Sequence, residues 1–228
     1  MIVPENKKHC VWVRIAKNGS TSVEKVLVDL GVFYPLSRIE NYRPGQHVLA
    51  IDELSKLADV GIDVDDCWIW AVVRDPVDRF ISGFRGHTWA QDKTLDGVLD
   101  EPPQKGEMSW NDPRWARIRC NRLKQSCECE RCHDSAWRHL FRSQTYALTV
   151  NGELRFHHLV KFSRLWTNIN LVLQTLRLPP RTHDAPHRNA SNRKRPELTE
   201  EQIARIEELF ADDFKNFRFK RCSKRSME

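Results

Sequence analysis

The sequence has no apolar run long enough to cross a membrane as a helix. Its first residues, MIVPENKKHC, also lack the apolar stretch that a secretion signal needs. We therefore expect the chain, as it stands, to be cytoplasmic and to contain no membrane segment.

The sequence also lacks the charge excess typical of proteins that bind nucleic acid. Its 37 Lys and Arg residues exceed its 31 Asp and Glu residues by so little that the formal net charge is +6. This excess suits a small anionic ligand and gives no reason to expect nucleic acid as a partner. A chain of 228 residues with 40% hydrophobic content can form one α/β domain with a full core.

The cysteines cannot all pair within the chain, because there are seven of them. Four lie close to a histidine in a CxCxxCH-containing segment, whereas a standard zinc site uses two well-separated pairs of ligands. Local disulfides or free thiols, a structural metal and a redox switch all remain open. The residues concerned are Cys120, Cys127, Cys129, Cys132 and His133.

The stretch Cys10–Leu30 predicts a strand that runs through a short turn into a helix. Helix-start N–H groups, the helix dipole and a lysine would together make the turn a cradle for a phosphate-like anion. Because the lysine precedes the glycine, the turn differs from the usual nucleoside-triphosphate loop. The alternative is an ordinary turn capped by Ser20 or Thr21. The turn consists of Lys17, Asn18, Gly19, Ser20, Thr21 and Ser22.

A second strand, turn and helix follow from Cys67. The run CWIWAVV is continuously apolar, as in a strand buried on both faces of a sheet, and it stops at Arg74. A helix then begins near Pro76 and carries Ser82. Ligands of open α/β sheets bind where strands end, so Arg74 and Ser82 could share an anion. The alternative is a surface ion pair between Arg74 and Asp78.

The two stretches together resemble the nucleotide motifs of the sulfotransferases, most closely those of the carbohydrate sulfotransferase branch. VRIAKNGSTSVEKVL resembles the 5′-phosphosulfate loop, and AVVRDPVDRFISGF resembles the 3′-phosphate motif. The first motif commonly has Pro-Lys-Thr-Gly-Ser-Thr-Ser, from which Ala16 and Asn18 depart. The resemblance implies an α/β, P-loop-like fold of three layers, with a central and mainly parallel sheet flanked by helices.

The resemblance also implies the donor 3′-phosphoadenosine 5′-phosphosulfate (PAPS) and no required metal. The phosphosulfate would be bound by the first loop, from Lys17 to Ser22, and the 3′-phosphate by Arg74 and Ser82. A later stretch, PHRNAS, resembles the basic loop that closes over the nucleotide in relatives, which adds Arg188. Because relatives include Golgi enzymes, the Golgi lumen is the expected compartment if an amino-terminal anchor was removed.

Sulfuryl transfer to a hydroxyl group needs a cation at the leaving oxygen and a base for the acceptor's proton. By analogy with phosphoryl transfer, Lys17 can supply the first. In relatives a histidine often precedes the strand that leads to the Arg-Asp-Pro turn, so His47 is the candidate base, with Asp52 and Glu53 as alternatives. In relatives a His followed by a Gln often lies on a helix beside the acceptor site, so His139 is a further candidate, although its spacing is one residue longer than the usual His-x-x-Pro-Gln and the Pro is absent. The alternative is a core or surface histidine.

In the second half of the chain, helical order is predicted over Asp134–Leu148, with Gln144 on the apolar face. A strand follows over Leu154–Phe162, and Ser163 would cap the next helix. Thr199 and Gln202 form a capping box that opens one final helix through Phe217.

We expect a single sulfotransferase domain over residues 1–228, with a variable acceptor-side insertion at about 86–133. The expected activity moves a sulfuryl group from PAPS to a hydroxyl of an acceptor, a glycan or another small molecule. Two other interpretations stay open: a small-molecule kinase with a P-loop-like site, and a non-catalytic binder of polyanions.

Overall fold

The computed structural model describes residues 6–35, 43–44, 47–103, 130–181 and 194–221. Arg188 and the cysteines Cys120, Cys127 and Cys129 lie outside these ranges, so the predictions made for them stay open. The chain divides into two compact units, Met1–Arg74 with Gln144–Ala190, and Asp75–Ser143 with Ser191–Glu228. The expected single domain stays a prediction.

Strands and helices alternate along the first part of the chain. The strands are β1 His9–Val13, β2 Phe33–Pro35, β3 Val48–Ile51, β4 Cys67–Val73, β5 Thr149–Val150, β6 Glu153–Leu154 and β7 His158–Lys161. The α-helices are α1 Ser20–Asp29, α2 Pro76–Gly86, α3 Leu95–Asp100, α4 Glu130–Ala136, α5 Gln144–Ala147, α6 Leu165–Thr175, α7 Glu200–Leu209 and α8 Ala211–Asn216. Short 3-10 helices cover Leu54–Val60, Val64–Asp66, Thr88–Ala90 and Phe162–Arg164, and Trp137–Phe141 forms a π-helical turn.

The first unit contains a five-stranded sheet in the order β2-β3-β1-β4-β7, and all its neighbouring strands run parallel. Strand β1 lies at its centre, with Val11 opposite Leu49 of β3 and Ile69 of β4. Every residue of β4 is buried, as its continuous apolar run predicts. A central parallel sheet flanked by helices confirms the predicted α/β fold class.

Helices α1 and α6 pack on one face of this sheet. Trp12 and Trp70 project from neighbouring strands of that face, and their rings stack with centroids 5.7 Å apart. Val23 and Leu27 of α1 and Ile169 of α6 belong to the same buried cluster. The apolar spacing predicted for both helices therefore places their buried sides against the sheet.

Parallel pairing brings the carboxyl ends of four adjacent strands to one edge of the sheet. Residues 14–19 follow β1, Asp52 and Glu53 follow β3, Arg74 follows β4, and Phe162 follows β7. The backbone N–H of Arg14 still donates to the Ile51 carbonyl oxygen at this edge. Open α/β sheets bind their ligands at such an edge, so the candidate site is expected there.

The single strand predicted over Leu154–Phe162 is wrong. Leu154 pairs with Thr149 in a small antiparallel hairpin, and β7 begins only at His158. The turn residues Asn151 and Gly152 both have positive φ, 51° and 82°, as Asn-Gly favours in a two-residue hairpin turn. Ser163 does not cap the following helix, because a 3-10 turn precedes α6.

The second unit surrounds α2 with a separate apolar core that includes Phe80, Leu140 and Phe210. The buried Arg79 donates from Nη2 to the Arg142 carbonyl oxygen at 2.8 Å. The Thr199–Gln202 capping box is confirmed, although the final helix breaks at Phe210 into α7 and α8. The π-helical turn likewise interrupts the helix predicted over Asp134–Leu148. No helix within the described ranges is long and apolar enough to span a membrane.

Candidate active site

The amino terminus of α1 has no side-chain cap among the described residues. Gly19 occupies the N-cap position with φ 76°, and Ser20 and Thr21 are the first two helical residues. The first turn also carries no acidic side chain. The alternative in which Ser20 or Thr21 caps the helix is therefore wrong, and the positive end of the helix dipole meets no opposing carboxylate of its own turn.

Lys17 and Arg74 bring two cationic side chains together at this edge. The Arg74 Nη1 donates to the Lys17 carbonyl oxygen at 3.2 Å. Burial, and secondly the positive charge of Arg74, lower the pKa of Lys17 below its ordinary value. Lys17 also has φ 67°, which is uncommon outside glycine and is found at strained functional positions. A bound anion would relieve the repulsion between the two cations.

Gly19 lies against the side chain of Phe162. A Cβ atom at Gly19 would come within 2.8 Å of Phe162 Cε2 and 3.2 Å of Leu165 Cδ2, so only glycine fits. The same Phe162 ring lies under the Arg74 guanidinium, 4.5 Å from Cζ to the ring centroid. Phe162 therefore shapes both motifs.

A buried amide network joins the two motifs. Asn18 is 1% exposed, and its Nδ2 donates to the Val72 carbonyl oxygen at 2.6 Å and to Gln144 Oε1 at 2.7 Å. Gln144 Oε1 also accepts from the Arg74 backbone N–H, and Gln144 Nε2 donates to the Arg74 carbonyl oxygen, both at 2.9 Å. Since both Nδ2 hydrogens of Asn18 are donated to these partners, its side chain anchors the loop, and its part in binding a cofactor stays a prediction.

The remaining residues of the predicted cofactor set differ in exposure. Ser20 is partly buried, Thr21 is exposed and Ser22 is buried. Ser82 is partly buried on α2 in the second unit, so its part in the site stays a prediction. In that unit the Asp78 carboxylate pairs with Arg195 at 2.7 Å.

The structure does not bring His47 to Lys17. His47 precedes Val48, which lies opposite Cys10, so His47 lies at the amino edge of the sheet, with its ring against Tyr34. Lys17 follows the carboxyl end of β1 at Val13, whereas His47 is level with His9 at the amino end. These two ends of β1 are four residues apart, or about 13 Å of strand. His47 and Lys17 therefore lie beyond opposite ends of the strands, and the role of His47 as general base stays a prediction.

The two alternative bases do lie at the carboxyl edge, directly after β3. The Asp52 carboxylate forms an ion pair with Lys56 at 2.7 Å. Glu53 is 9% exposed, a rare environment for a carboxylate. His139 lies in the π-helical turn of the second unit, where Nδ1 contacts the Ser135 carbonyl oxygen at 2.7 Å, so that nitrogen carries the proton. Its role stays a prediction.

Gln144 and Phe162 are the site residues that the sequence did not assign. A signal for Gln144 was present, because an amide on an otherwise apolar helix face needs buried hydrogen-bond partners. Phe162 gave a weaker signal, since an aromatic residue at the end of a strand is common in any core.

A family model described as the sulfotransferase family matches residues 1–220. Neither the search of curated proteins nor the search of solved structures found a match.

Proposed function

We propose that this chain, which belongs to the sulfotransferase family, transfers the sulfuryl group of PAPS to a hydroxyl group of a carbohydrate acceptor. Family membership gives the general activity, transfer of a sulfuryl group. The observation that supports PAPS as donor is the paired Lys17 and Arg74, beside the uncapped amino terminus of α1. This arrangement suits a ligand that carries more than one anionic group.

The described residues fit such a donor. Gly19 allows the left-handed turn before α1, and the Phe162 ring lies where a Cβ atom at this position would stand. Burial, and secondly the charge of Arg74, lower the pKa of Lys17, and a bound dianion would favour the charged form of this lysine. Ser82 and Arg188 complete the proposed donor set, as in the family motifs they match.

Bound PAPS would supply an activated sulfuryl group on a phosphate leaving group. Lys17 is proposed to neutralise the negative charge that develops on the leaving oxygen. Arg74 is proposed to bind the 3′-phosphate, because its planar guanidinium can donate two parallel hydrogen bonds. Phe162 and Gln144 hold that guanidinium and its backbone in place.

We propose Glu53 as the general base in place of His47. Glu53 follows the strand next to β1 at the carboxyl edge, and its burial suits a carboxylate that accepts a proton away from bulk water. Asp52 is the alternative, and its carboxylate forms an ion pair with Lys56.

The test is calorimetric titration of the purified protein with 3′,5′-adenosine bisphosphate, the product form of the donor, and with ATP. Micromolar binding of the bisphosphate with much weaker binding of ATP is expected, and an acceptor screen with PAPS over glycans would follow. Preference for ATP would favour a kinase. Binding of neither nucleotide by folded protein would reject the donor, and retention on heparin would then favour a polyanion binder.

A further inference from the structure

We propose that Gln144 is a positioning residue that fixes the spacing between the Lys17 loop and Arg74, and so makes two anion sites into one bisphosphate site. This inference rests on the proposed function. It concerns how the chain arranges its own cations, and it is argued from hydrogen bonds within the first unit.

Gln144 extends the sheet by one residue at Arg74. The pairing of β1 with β4 ends at Val13 and Ala71, and that of β7 with β4 ends at Lys161 and Val73. Beyond that point the Gln144 amide supplies both partners of the Arg74 peptide groups, accepting from N–H and donating to C=O, each at 2.9 Å. The orientation of the amide is fixed, because a flipped amide would place the Gln144 Nε2 donor against the Arg74 N–H donor.

The same amide holds the first loop. Gln144 Oε1 accepts from Asn18 Nδ2 at 2.7 Å, and the second hydrogen of that nitrogen goes to the Val72 carbonyl oxygen. The Arg74 side chain then returns to the Lys17 carbonyl oxygen and closes the circuit. Gln144 is 0% exposed and Asn18 1% exposed, so these bonds form away from water, where they are strongest.

The Gln144 hydrogen bonds oppose the electrostatic repulsion between Lys17 and Arg74. The mutual repulsion of Lys17 and Arg74 favours separation of the two loops, and a neutral amide anchors both without cancelling either charge. A ligand with two phosphates benefits from the fixed spacing, whereas a ligand with one phosphate does not. Gln144 should therefore contribute more to the binding of the bisphosphate than to that of a monophosphate.

The experiment compares Gln144→Met with wild type in titrations with 3′,5′-adenosine bisphosphate and with adenosine 5′-monophosphate. We expect the bisphosphate affinity to fall about tenfold or more and the monophosphate affinity to fall much less, since one buried hydrogen-bonded anchor is lost. Gln174→Met, an exposed change on α6, is the matched control and should alter neither affinity.

A double mutant tests whether Gln144 affects binding through Arg74. If Gln144 acts through Arg74, adding Gln144→Met to Arg74→Ala should weaken bisphosphate binding no further than Arg74→Ala alone. If Gln144→Met does not fold, Asn18→Ala removes the bonds from the loop to the Gln144 amide and to the Val72 carbonyl oxygen, leaves the bonds between the amide and Arg74, and should show the same selective loss. Equal losses for both nucleotides, or no loss, would overturn the inference. No bisphosphate binding by folded wild type would instead reject the proposed function, and the inference with it.

Discussion

Lys17 links the site to pH through a pKa that is lowered by burial and by Arg74. The folded protein therefore binds fewer protons at this group than the unfolded chain does. Between the lowered pKa and the ordinary value of 10.5, stability consequently rises with pH. An anion favours the charged form and acts in the opposite direction, so anion binding should draw a proton onto Lys17 as the pH approaches the lowered pKa.

We predict that the affinity for the bisphosphate falls with rising pH, beginning below the range in which an exposed lysine titrates. Calorimetry from neutral to alkaline pH, in buffers of different ionisation enthalpy, should detect proton uptake on binding. Lys17→Ala should abolish that uptake. An uptake that persists in this variant would assign the effect to another group.

For Arg74→Ala we predict a loss of about tenfold or more in bisphosphate affinity, because a partly buried charged donor is removed. The Gln144 bonds to the Arg74 backbone remain in this variant, so the loss reports the guanidinium. Arg155→Ala is the matched control, since Arg155 forms exposed ion pairs with Asp65 and Glu153. Unchanged affinity in Arg74→Ala would remove Arg74 from the site.

The two candidate bases, Glu53 and His47, lie at opposite edges of the sheet. Glu53→Gln should leave bisphosphate binding intact and reduce turnover by a factor on the order of a hundred or more, whereas His47→Ala should retain wild-type turnover. Both are measured as sulfate transfer from PAPS once an acceptor is found. Wild-type turnover in Glu53→Gln together with a large loss in His47→Ala would instead identify His47 as the base, and would imply that the amino edge of the sheet is rearranged.

At the scale of elements, the two ends of α1 offer a matched pair of glycines, Gly19 before the helix and Gly31 after it. Gly19 and Gly31 have similar positive φ, 76° and 67°, but only Gly19 has a close neighbour where a Cβ would stand. Gly31→Ala should cost only the left-handed strain, about 1–2 kcal/mol. Gly19→Ala should cost more and lose bisphosphate binding, because Phe162 must move. Thermal unfolding and titration measure the two effects, and equal behaviour of the variants would show that the contact is unimportant.

Elements with a strong local pattern were predictable from the sequence. Strand β4 and the turn before α1 follow from apolar runs and turn residues, and parallel pairing then places Arg74 near Lys17. The edge occupied by His47 depends on where β3 begins, which the sequence near Val48 does not mark strongly. The role of Gln144 depends on a contact with Asn18 across 126 positions, which no local pattern encodes.

At the scale of the whole molecule, ligand binding should appear as stability. Bisphosphate at about a hundred times its dissociation constant should add about 2.7 kcal/mol and raise the unfolding temperature by several degrees. ATP at the same concentration should raise it much less, and the Arg74→Ala variant should lose most of the shift. Equal shifts with both nucleotides would indicate unspecific anion binding.

Two hydrogen bonds from the Gln144 amide go to the peptide groups of Arg74. Any residue other than proline at position 74 can therefore supply the same two backbone groups. Asn18 donates to the same amide from its own side chain, so a residue without that donor at position 18 removes a hydrogen-bond partner of Gln144. Among relatives, substitutions should consequently be correlated between positions 18 and 144.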